Sequence, residues 1–585
     1  MSLEELTANL LEASQHEESG DLLVLLQQMQ EAASLPGDKS CLIGPVVKLL
    51  PSHNLEVKRR VYTTLQKLCE NHPDAALLAA NCVIRDCRDP NPEVKCLGVW
   101  GISVLPPLLP LYATDVLAVA LGDSHPRVRR TAVVSCGRVF SDAPGLLEGK
   151  GFVNRLYECI RDEDTLVVVQ ALLVLDKALA QEGGVVVNRK LAQYLLLRLP
   201  HFQPPQLATV LQVLRKYAPK TDTELFTQLS LLDPYLAHKE SAAVVVNCAQ
   251  LFVQLIEKGY PHLEKDVIAR SVPALTTFLG SSDVHAQGYV LEFLQWTENR
   301  EMDWLAPFSK SWSLFCPPRL SNSLKSGINA PDFTGQNPLL HKKLLLLPRV
   351  CSADNASEVL LTLEETTWDR SDVLLCRAHL DCIVSLVVEL PQPASSQALR
   401  LLIRFIESKE AIIVGNALQA LERLDVKRLP AEEVSSLLVA LVSSLDIFKD
   451  KSAEESTQFT PVQPPAILPE LLSERRETIS PQAAVHVVQA LVAHLPEIID
   501  MHHYTFASQI LRSTICLFIQ EPASFQYSLG RALHICVECG KTTSLNDSDH
   551  YLAVLQLSKQ ALWYYQLLKC DPSAALAKRA LGVVK

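Results

Sequence analysis

The chain has 585 residues, of which 48% are hydrophobic and 20% are charged, and its net charge at pH 7 is −11. This length exceeds what one compact core usually supports, so we expect several domains or one stacked array. The hydrophobic content excludes a disordered chain, and the negative charge without a dense Lys/Arg block argues against nucleic-acid binding through phosphate neutralisation.

The amino-terminal stretch MSLEELTANLLEASQHEESGD is acidic and has neither the basic start nor the apolar run of a secretory signal. Charge or proline breaks the apolar runs of the chain within about ten residues, short of the roughly 20 needed to cross a bilayer. We therefore expect no membrane span and a cytosolic chain, in which the 16 cysteines are reduced thiols.

A short pattern recurs in the first third of the chain: a turn-forming polar group, a valine, a basic residue and an apolar run. The copies are NLEVKRRVY at 54–62, DPNPEVKCLG at 89–98 and DSHPRVRRTAVV at 123–134. Val94 and Val128 are 34 residues apart, and DEDTLVVVQ places Val167 a further 39 residues on. Such periods are typical of helix pairs, so they predict an all-α solenoid of the HEAT or armadillo type.

Polar residues and prolines ahead of the apolar runs indicate where helices begin. Proline is tolerated at the first helical position, and a preceding Asp or Asn can accept the free backbone N–H groups there. The predicted structural caps of the repeats are Asn54, Asp89, Pro92, Asp123 and Pro126.

Two basic clusters open helices that follow repeat turns. The first comprises Lys58, Arg59 and Arg60, and the second comprises Arg127, Arg129 and Arg130. Charged residues at such positions usually form a solvated helix face, and we favour that interpretation over a phosphate or lipid contact.

Composition divides the chain at two segments rich in Pro, Ser, Thr, Asn and Gly, whose low apolar content predicts mobile inserts that assembly does not need. The predicted organisation is a solenoid at 1–316, an irregular insert at 317–338, a solenoid continuation at 339–448, a second irregular insert at 449–466 and the carboxyl-terminal end of the trunk at 467–585.

Sequence motifs for catalysis, cofactors and metals are missing. The single CxxC, Cys536 to Cys539, has His534 nearby, but structural zinc normally takes four ligands and the sequence offers no second pair. We therefore expect two cysteines on one helix. Without a nucleophile elbow, HExxH, P-loop or GxGxxG pattern, we expect a chain that is not an enzyme and binds no cofactor.

Residues 54–102 resemble the second and third repeats of the beta adaptins, the large beta subunits of heterotetrameric adaptor complexes. The family pattern of Asn-Leu-Glu, a basic pair, Val-Tyr, Pro-Asp and Asp-Cys followed by Asp-Pro-Asn-Pro falls in order on this segment, with Arg85 in place of the family lysine. Residues 157–199 contain QEGGVV followed by Asn, which is most similar to the beta subunits of the fourth adaptor complex.

The resemblance implies a vesicle-coat scaffold in intracellular protein transport. It implies a heterotetramer in which this chain holds a medium (mu) chain beside a small (sigma) chain and a second large chain, and helps to select cargo and recruit the coat. The implied location is cytoplasmic and peripheral, on trans-Golgi network or endosomal membranes and coated vesicles. The alternative function is another HEAT-repeat scaffold, such as a nuclear transport receptor or a phosphatase scaffold.

The resemblance also implies a site for an Arf-family GTPase on the helix DAALLAANCVI. In beta adaptins, apolar residues on the helix after Pro-Asp meet the GTPase, and the matching positions here are Leu77 and Ala80, where Ala80 is smaller than in some relatives. The alternative is that Leu77 belongs to the ordinary core, because a helix this apolar must bury one face in any case.

Overall fold

The structure is a computed structural model, and it describes most of the chain. The described residues are 9, 19–34, 40–73, 75–147, 149–257, 260–300, 302–316, 337–365, 373–408, 411–424, 429–445, 467–474, 479–542, 548–570 and 579. Both predicted inserts lie almost wholly outside these residues. Helix Asn337–Val350 includes the last two residues of the first predicted insert, 317–338.

Every regular element in the described residues is helical, and the prediction of an all-α helix-pair fold is confirmed. The chain divides into two compact units, Met1–Ala274 and Leu275–Lys585. Helices of the first unit are α1 Ser19–Ser34, α2 Ser40–Lys48, α3 Leu55–Asn71, α4 Ala75–Asp86, α5 Pro92–Val104, α6 Leu109–Ala120, α7 Pro126–Asp142, α8 Phe152–Cys159, α9 Thr165–Ala178, α10 Arg189–Arg198, α11 Pro204–Leu214, α12 Asp222–Leu232 and α13 Ala242–Ile256.

The unit boundary falls inside α14, Glu264–Leu279, and the remaining helices belong to the second unit. They are α15 Val284–Glu298, α16 Asn337–Val350, α17 Ala356–Glu365, α18 Val373–Glu389, α19 Ala394–Ile406, α20 Ala411–Leu421, α21 Val434–Ser444, α22 Ile467–Glu474, α23 Pro481–Asp500, α24 Tyr504–Gln520, α25 Pro522–Thr542 and α26 Ser548–Cys570.

Odd-numbered helices of the first unit form one continuous stack, since α1, α3, α5, α7, α9, α11 and α13 each pack against the next. The repeated valine of the sequence pattern points into this stack. Val57, Val94, Val128 and Val167 are all buried at the first turns of their helices. The recurrence therefore places one apolar anchor per repeat in a shared core.

Close helix approach in this stack depends on two glycines of α5. A Cβ on Gly98 would lie 2.6 Å from the backbone nitrogen of Cys87, and a Cβ on Gly101 would overlap the buried ring of Tyr62. Real Cβ atoms do not tolerate such contacts. Glycine normally weakens a helix interior. At these two positions its missing side chain allows α3, α4 and α5 to approach closely.

Helix starts in the repeats follow the predicted positions, with a correction to two of the caps. Asn54 caps α3, since its side chain accepts hydrogen bonds from the N–H groups of Glu56 and Val57. The capping residue of α5 is Asn91, and that of α7 is His125.

Asp89 and Asp123 act two residues before those caps. Their side chains accept the backbone N–H of the cap residue, Asn91 or His125, at 2.8 and 2.9 Å. They order the turn ahead of the helix, whereas Pro92 and Pro126 occupy the first helical position as expected from their fixed φ. The sequence pattern located the turn correctly and assigned the cap to the wrong member of it.

Replacing Asn91 with alanine is expected to lower the free energy of unfolding by about 1 kcal/mol, because the Glu93 N–H loses its acceptor. The variant should keep every binding partner, since the side chain of the cap acts on the helix that follows it. Thermal melts compared with partner pull-down test this. An unchanged melt combined with loss of one partner would contradict a structural role. Asn91→Asp, which keeps the acceptor, is the matched control.

In the second unit, α16, α18 and α20 pack in succession, and α19, α21, α23 and α25 do likewise. An aromatic cluster of Phe293, Trp304, Phe308 and Phe315 fills the core at the start of this unit. The Phe293 and Trp304 rings meet edge to face, with centroids 4.9 Å apart. Such clusters bury large apolar surfaces and add a favourable quadrupole interaction.

Helix α23 is long and apolar enough to cross a bilayer by length and composition, and α5 with Pro106–Ala120 would also qualify if that bent pair were one span. Core helices of folded domains pass the same test. One face of α23 is packed against α21, α24 and α25, and it buries Val487, Leu491 and Leu495. This burial is that of a core helix.

Candidate functional site at the amino-terminal repeats

Helix α4 presents two leucines to the surface. Leu77 is 49% exposed and Leu78 is 66% exposed, whereas Ala80 is only 9% exposed. The opposite face of the helix lies in the core through Ala76, Ala79 and Val83. Ala80 belongs with that buried face, so its assignment to a contact surface is corrected, and Leu78 is the neighbour that sequence reasoning missed.

The carboxyl end of α4 is fixed to α3 by a buried ionic network. Lys58 Nζ donates to both carboxylate oxygens of Asp86 at 2.7 Å, and the Tyr62 hydroxyl donates to Asp86 Oδ2 at 3.0 Å. All three side chains are buried. Burial and the neighbouring Asp86 carboxylate raise the pKa of Tyr62, so the phenol remains a donor.

This network corrects the interpretation of the first basic cluster. Lys58 was expected on a solvated face, but it is 5% exposed and its charge is neutralised inside the fold. A buried ammonium is tolerated only with a close partner. Lys58 therefore offers no charge to a phosphate or a lipid.

Equivalent ion pairs recur along the stack at the same place in each repeat. Lys95 Nζ donates to Asp123 Oδ2 at 2.8 Å, and Arg129 makes a bidentate pair with Asp162 at 2.7 and 2.8 Å. In each case the basic residue follows the buried valine of the pattern. The sequence signal was available as Val-Lys or Val-Arg with an aspartate 28 or 33 residues later.

The two aspartates of these pairs connect successive repeats. Asp123 also accepts the His125 N–H at the start of α7, and Asp162 accepts the Asp164 N–H at the start of α9. Each carboxylate therefore holds a basic side chain of its own repeat and orders the turn into the next helix. Such charge-assisted bonds are stronger than neutral ones.

Acid is expected to weaken this stack. Burial would raise the pKa of Asp123 and Asp162, but hydrogen bonds from Lys95 and Arg129 and from the backbone outweigh it, so both pKa values lie below the ordinary 3.8. A carboxyl with a depressed folded pKa stabilises the fold above its unfolded pKa and loses that contribution as pH falls through the folded value.

The melting temperature should therefore be steady above about pH 5 and fall below pH 4. Asp162→Asn should melt lower at pH 7 and show a shallower decline in acid, as measured by thermal melts between pH 3 and pH 7. An equally steep decline in that variant would contradict the assignment.

A second set of charges runs along the surface above the buried pairs. Glu93 lies between Arg59 and Arg127, at 2.8 Å from Arg59 and in direct contact with Arg127. Exposed pairs of this kind contribute little to stability. They do lower the net positive charge of both predicted basic clusters, which weakens the case for an anion site.

The even-numbered helices of the first unit carry further exposed apolar side chains. Beyond α4, these are Leu111 and Val119 on α6, Leu197 on α10 and Phe226 on α12. Scattered surface apolar residues are ordinary. The odd-numbered helices also expose Val24, Val134, Leu166 and Leu173, by 37–56%, whereas the even helices carry the residues that are exposed by 57–75%. Among the described helices of this unit, the even ones therefore expose the most apolar surface.

The CxxC pair lies on α25, as the sequence indicated. Cys536 is buried and Cys539 is half-buried, both as free thiols, and His534 Nε2 lies 3.4 Å from Glu538. Burial raises the pKa of Cys536 to about 12, which disfavours the thiolate that zinc requires. Within the described residues, no group of three His, Cys, Asp or Glu side chains could hold a metal ion.

Comparison with known proteins shows the family to which these repeats belong. The family model described as the adaptin N terminal region matches residues 24–316, which is half of the chain and includes every repeat discussed above. The chain belongs to the adaptin family. This adaptin is 27% identical over 541 residues to the AP-4 complex subunit beta-1 of Mus musculus, a match that covers 91% of this chain and 65% of that protein.

A second relative of this adaptin is the AP-1 complex subunit beta-1 of Homo sapiens, 23% identical over 546 residues, with 92% of this chain and 52% of that protein covered. Both relatives are beta subunits, so the resemblance to beta adaptins is confirmed, and identity is higher to the AP-4 subunit. The chain spans between about half and two thirds of the length of these relatives.

Among solved structures, the adaptin matches a chain from "Homology model of the full-length AP-3 complex in an intermediate open conformation". The two are 13% identical with a TM-score of 0.47, and the match covers 95% of this chain and 97% of that one.

Proposed function

We propose that this adaptin is the large beta-type scaffold subunit of a vesicle-coat adaptor complex. The observation that carries the proposal is the match to AP-4 and AP-1 beta subunits over more than nine tenths of the chain. In this role it holds the medium (mu) chain, together with the small (sigma) chain and the second large chain, and contributes to cargo selection in intracellular protein transport.

The exposed even helices support assembly. Val119 is 75% exposed, and Leu111 and Leu197 are more than half exposed, which leaves apolar area for partner chains to cover. A partner that binds the folded chain stabilises it by mass action. The isolated chain should accordingly be poorly soluble, and its melting temperature should rise when the medium chain is added.

Recruitment to membranes is proposed to run through an Arf-family GTPase that grips α4. Leu77 and Leu78 provide the exposed apolar contact near the start of α4, and the buried Asp86 network fixes the carboxyl end of the same helix. The proposed location is peripheral, on trans-Golgi network or endosomal membranes and coated vesicles.

A pull-down of the tagged full chain from cytosol tests the assembly. We expect a medium, a small and a second large adaptin chain in stoichiometric amounts. Recovery of a nuclear-transport GTPase or a phosphatase subunit instead would overturn the proposal in favour of another HEAT-repeat scaffold. A monodisperse isolated chain whose melting temperature is unchanged by the medium chain would also count against it.

A further inference from the structure

A surface groove lies between α16 and α18 in the second unit. It encloses about 250 Å³. One wall is Leu344, Leu345 and Pro348 of α16, and the residue that closes one end is Arg423. The other wall is α18, through Asp381, Cys382, Val384, Ser385, Val388 and Glu389. These α18 residues recur every three to four positions and therefore share one face over two turns.

The groove has the length of a few peptide side chains. Asp381 and Glu389 are eight residues apart on α18, which corresponds to about 12 Å along the helix axis. Between them the lining is mainly apolar, with Val384 and Val388 of α18 and Leu344, Leu345 and Pro348 of α16, beside Cys382 and Ser385. The volume is smaller than the 300–1,000 Å³ typical of sites for whole small molecules, which favours inserted side chains.

The Asp381 end of the groove is already neutralised. Asp381 Oδ2 accepts a hydrogen bond from Arg423 Nη1 at 2.9 Å, and Arg377 Nε lies 4.0 Å away. With two guanidiniums beside one carboxylate, an incoming cation gains little at this end.

The Glu389 end is short of positive charge. Arg349 Nε lies 3.6 Å from Glu389 but only 3.0 Å from Glu298, so one guanidinium serves two carboxylates. Burial raises the pKa of Glu389, Arg349 counteracts this in part, and Glu298 raises it further. These three side chains together carry one uncompensated negative charge, and the Glu389 side chain is 32% exposed.

We propose that this groove docks a segment of a partner protein in which an apolar side chain stands beside a lysine or arginine. The apolar side chain packs on the accessible Leu345 and Val388, over the more deeply buried Leu344 and Val384, and the cation pairs with Glu389. Charge complementarity selects this occupant, because an acidic or purely apolar segment would leave Glu389 short of a partner. The proposal concerns the second unit and is independent of the GTPase contact and of the adaptor assembly.

The test uses the full chain with labelled Leu and Val methyl groups, assembled with its partner chains so that it stays in solution, and two dipeptide probes. Acetyl-Leu-Arg-amide carries the cation, and acetyl-Leu-citrulline-amide has the same shape without it. Titration should shift the methyl signals of Leu344, Val384 and Val388, and the neutral probe should bind about fivefold more weakly, as for loss of one partly exposed ion pair. Acetyl-Leu-Lys-amide, titrated in the same way, shows whether the groove binds lysine or arginine more tightly.

Two variants complete the test. Glu389→Gln should remove the preference for the arginine probe while the rest of the methyl spectrum stays in place, since this side chain is partly exposed and unfolding is not expected. Glu358→Gln, a carboxylate of α17 outside the groove, should leave the preference intact. Equal binding of both probes, no shift at these three residues, or a preference that survives Glu389→Gln would overturn the proposal.

Discussion

Replacing Lys58 with methionine is expected to destabilise the amino-terminal repeats by about 3–5 kcal/mol, because Asp86 would be left as an unpaired charge in the core. Methionine matches the length of the lysine stem, so the loss would come from the missing ammonium and not from a cavity. Chemical unfolding measures it, and hydrogen exchange of the α3 and α4 amides localises it.

A double variant shows whether the destabilisation comes from the unpaired Asp86 charge or from lost packing. Lys58→Met with Asp86→Asn removes both charges and keeps an acceptor for the Tyr62 hydroxyl, so much of the stability should return. Lys95→Met is the matched single control. Its partner Asp123 is less completely buried, and Lys95 itself is 24% exposed, so water can solvate the remaining carboxylate and the loss should be smaller. Equal losses of unfolding free energy in Lys58→Met and Lys95→Met would show that burial of the remaining carboxylate does not determine the destabilisation.

Helix starts were predictable because their signals are local. A capping side chain acts on a backbone N–H two or three residues away, and proline fixes its own φ, so Asn54, Pro92 and Pro126 could be read from the sequence. The distinction between Asp89 and Asn91 could not, because both are good caps and only the turn geometry decides which one lies at the helix boundary.

The ionic network was not predicted because its partners are distant in sequence. Lys58 and Asp86 are 28 residues apart, and a lysine in a basic run normally indicates a solvated face. The repeat period contained the information, since Lys95 and Arg129 occupy the equivalent position. One repeat considered alone predicts that its basic residue lies on the surface. Alignment of three repeats shows instead that a basic residue recurs at one position and that each copy has an aspartate partner.

The groove of the second unit lay beyond sequence reasoning for a stronger reason. Its residues come from α16, from α18 and from Arg423, which are tens of residues apart and follow no repeated motif. Its charge imbalance depends on Arg349 being nearer to Glu298 than to Glu389, which is a matter of distances alone.

Charging the α4 surface is expected to abolish membrane recruitment without unfolding the chain. In the heterotetramer, Leu77→Glu should reduce GTP-dependent binding to liposomes carrying an Arf-family GTPase by about tenfold or more, the effect of charge in the centre of an apolar contact. Leu77 is half exposed, so its carboxylate remains hydrated in the free complex and folding is preserved. Leu78→Glu should behave alike, since this neighbouring leucine is more exposed still.

The controls for this prediction lie on α3 and α7. Val134→Glu places the same charge on a similarly exposed apolar residue of α7 and should leave recruitment by the GTPase intact. Lys58→Met removes the buried partner of Asp86 and so destabilises α4 without changing its surface. It should weaken recruitment only in proportion to the fraction of α4 that has unfolded. A folded, fully assembled Leu77→Glu complex that binds liposomes as well as wild type would exclude this surface as the GTPase contact. Failure of Leu77→Glu to fold would instead place Leu77 in the core, against its exposure in the structure.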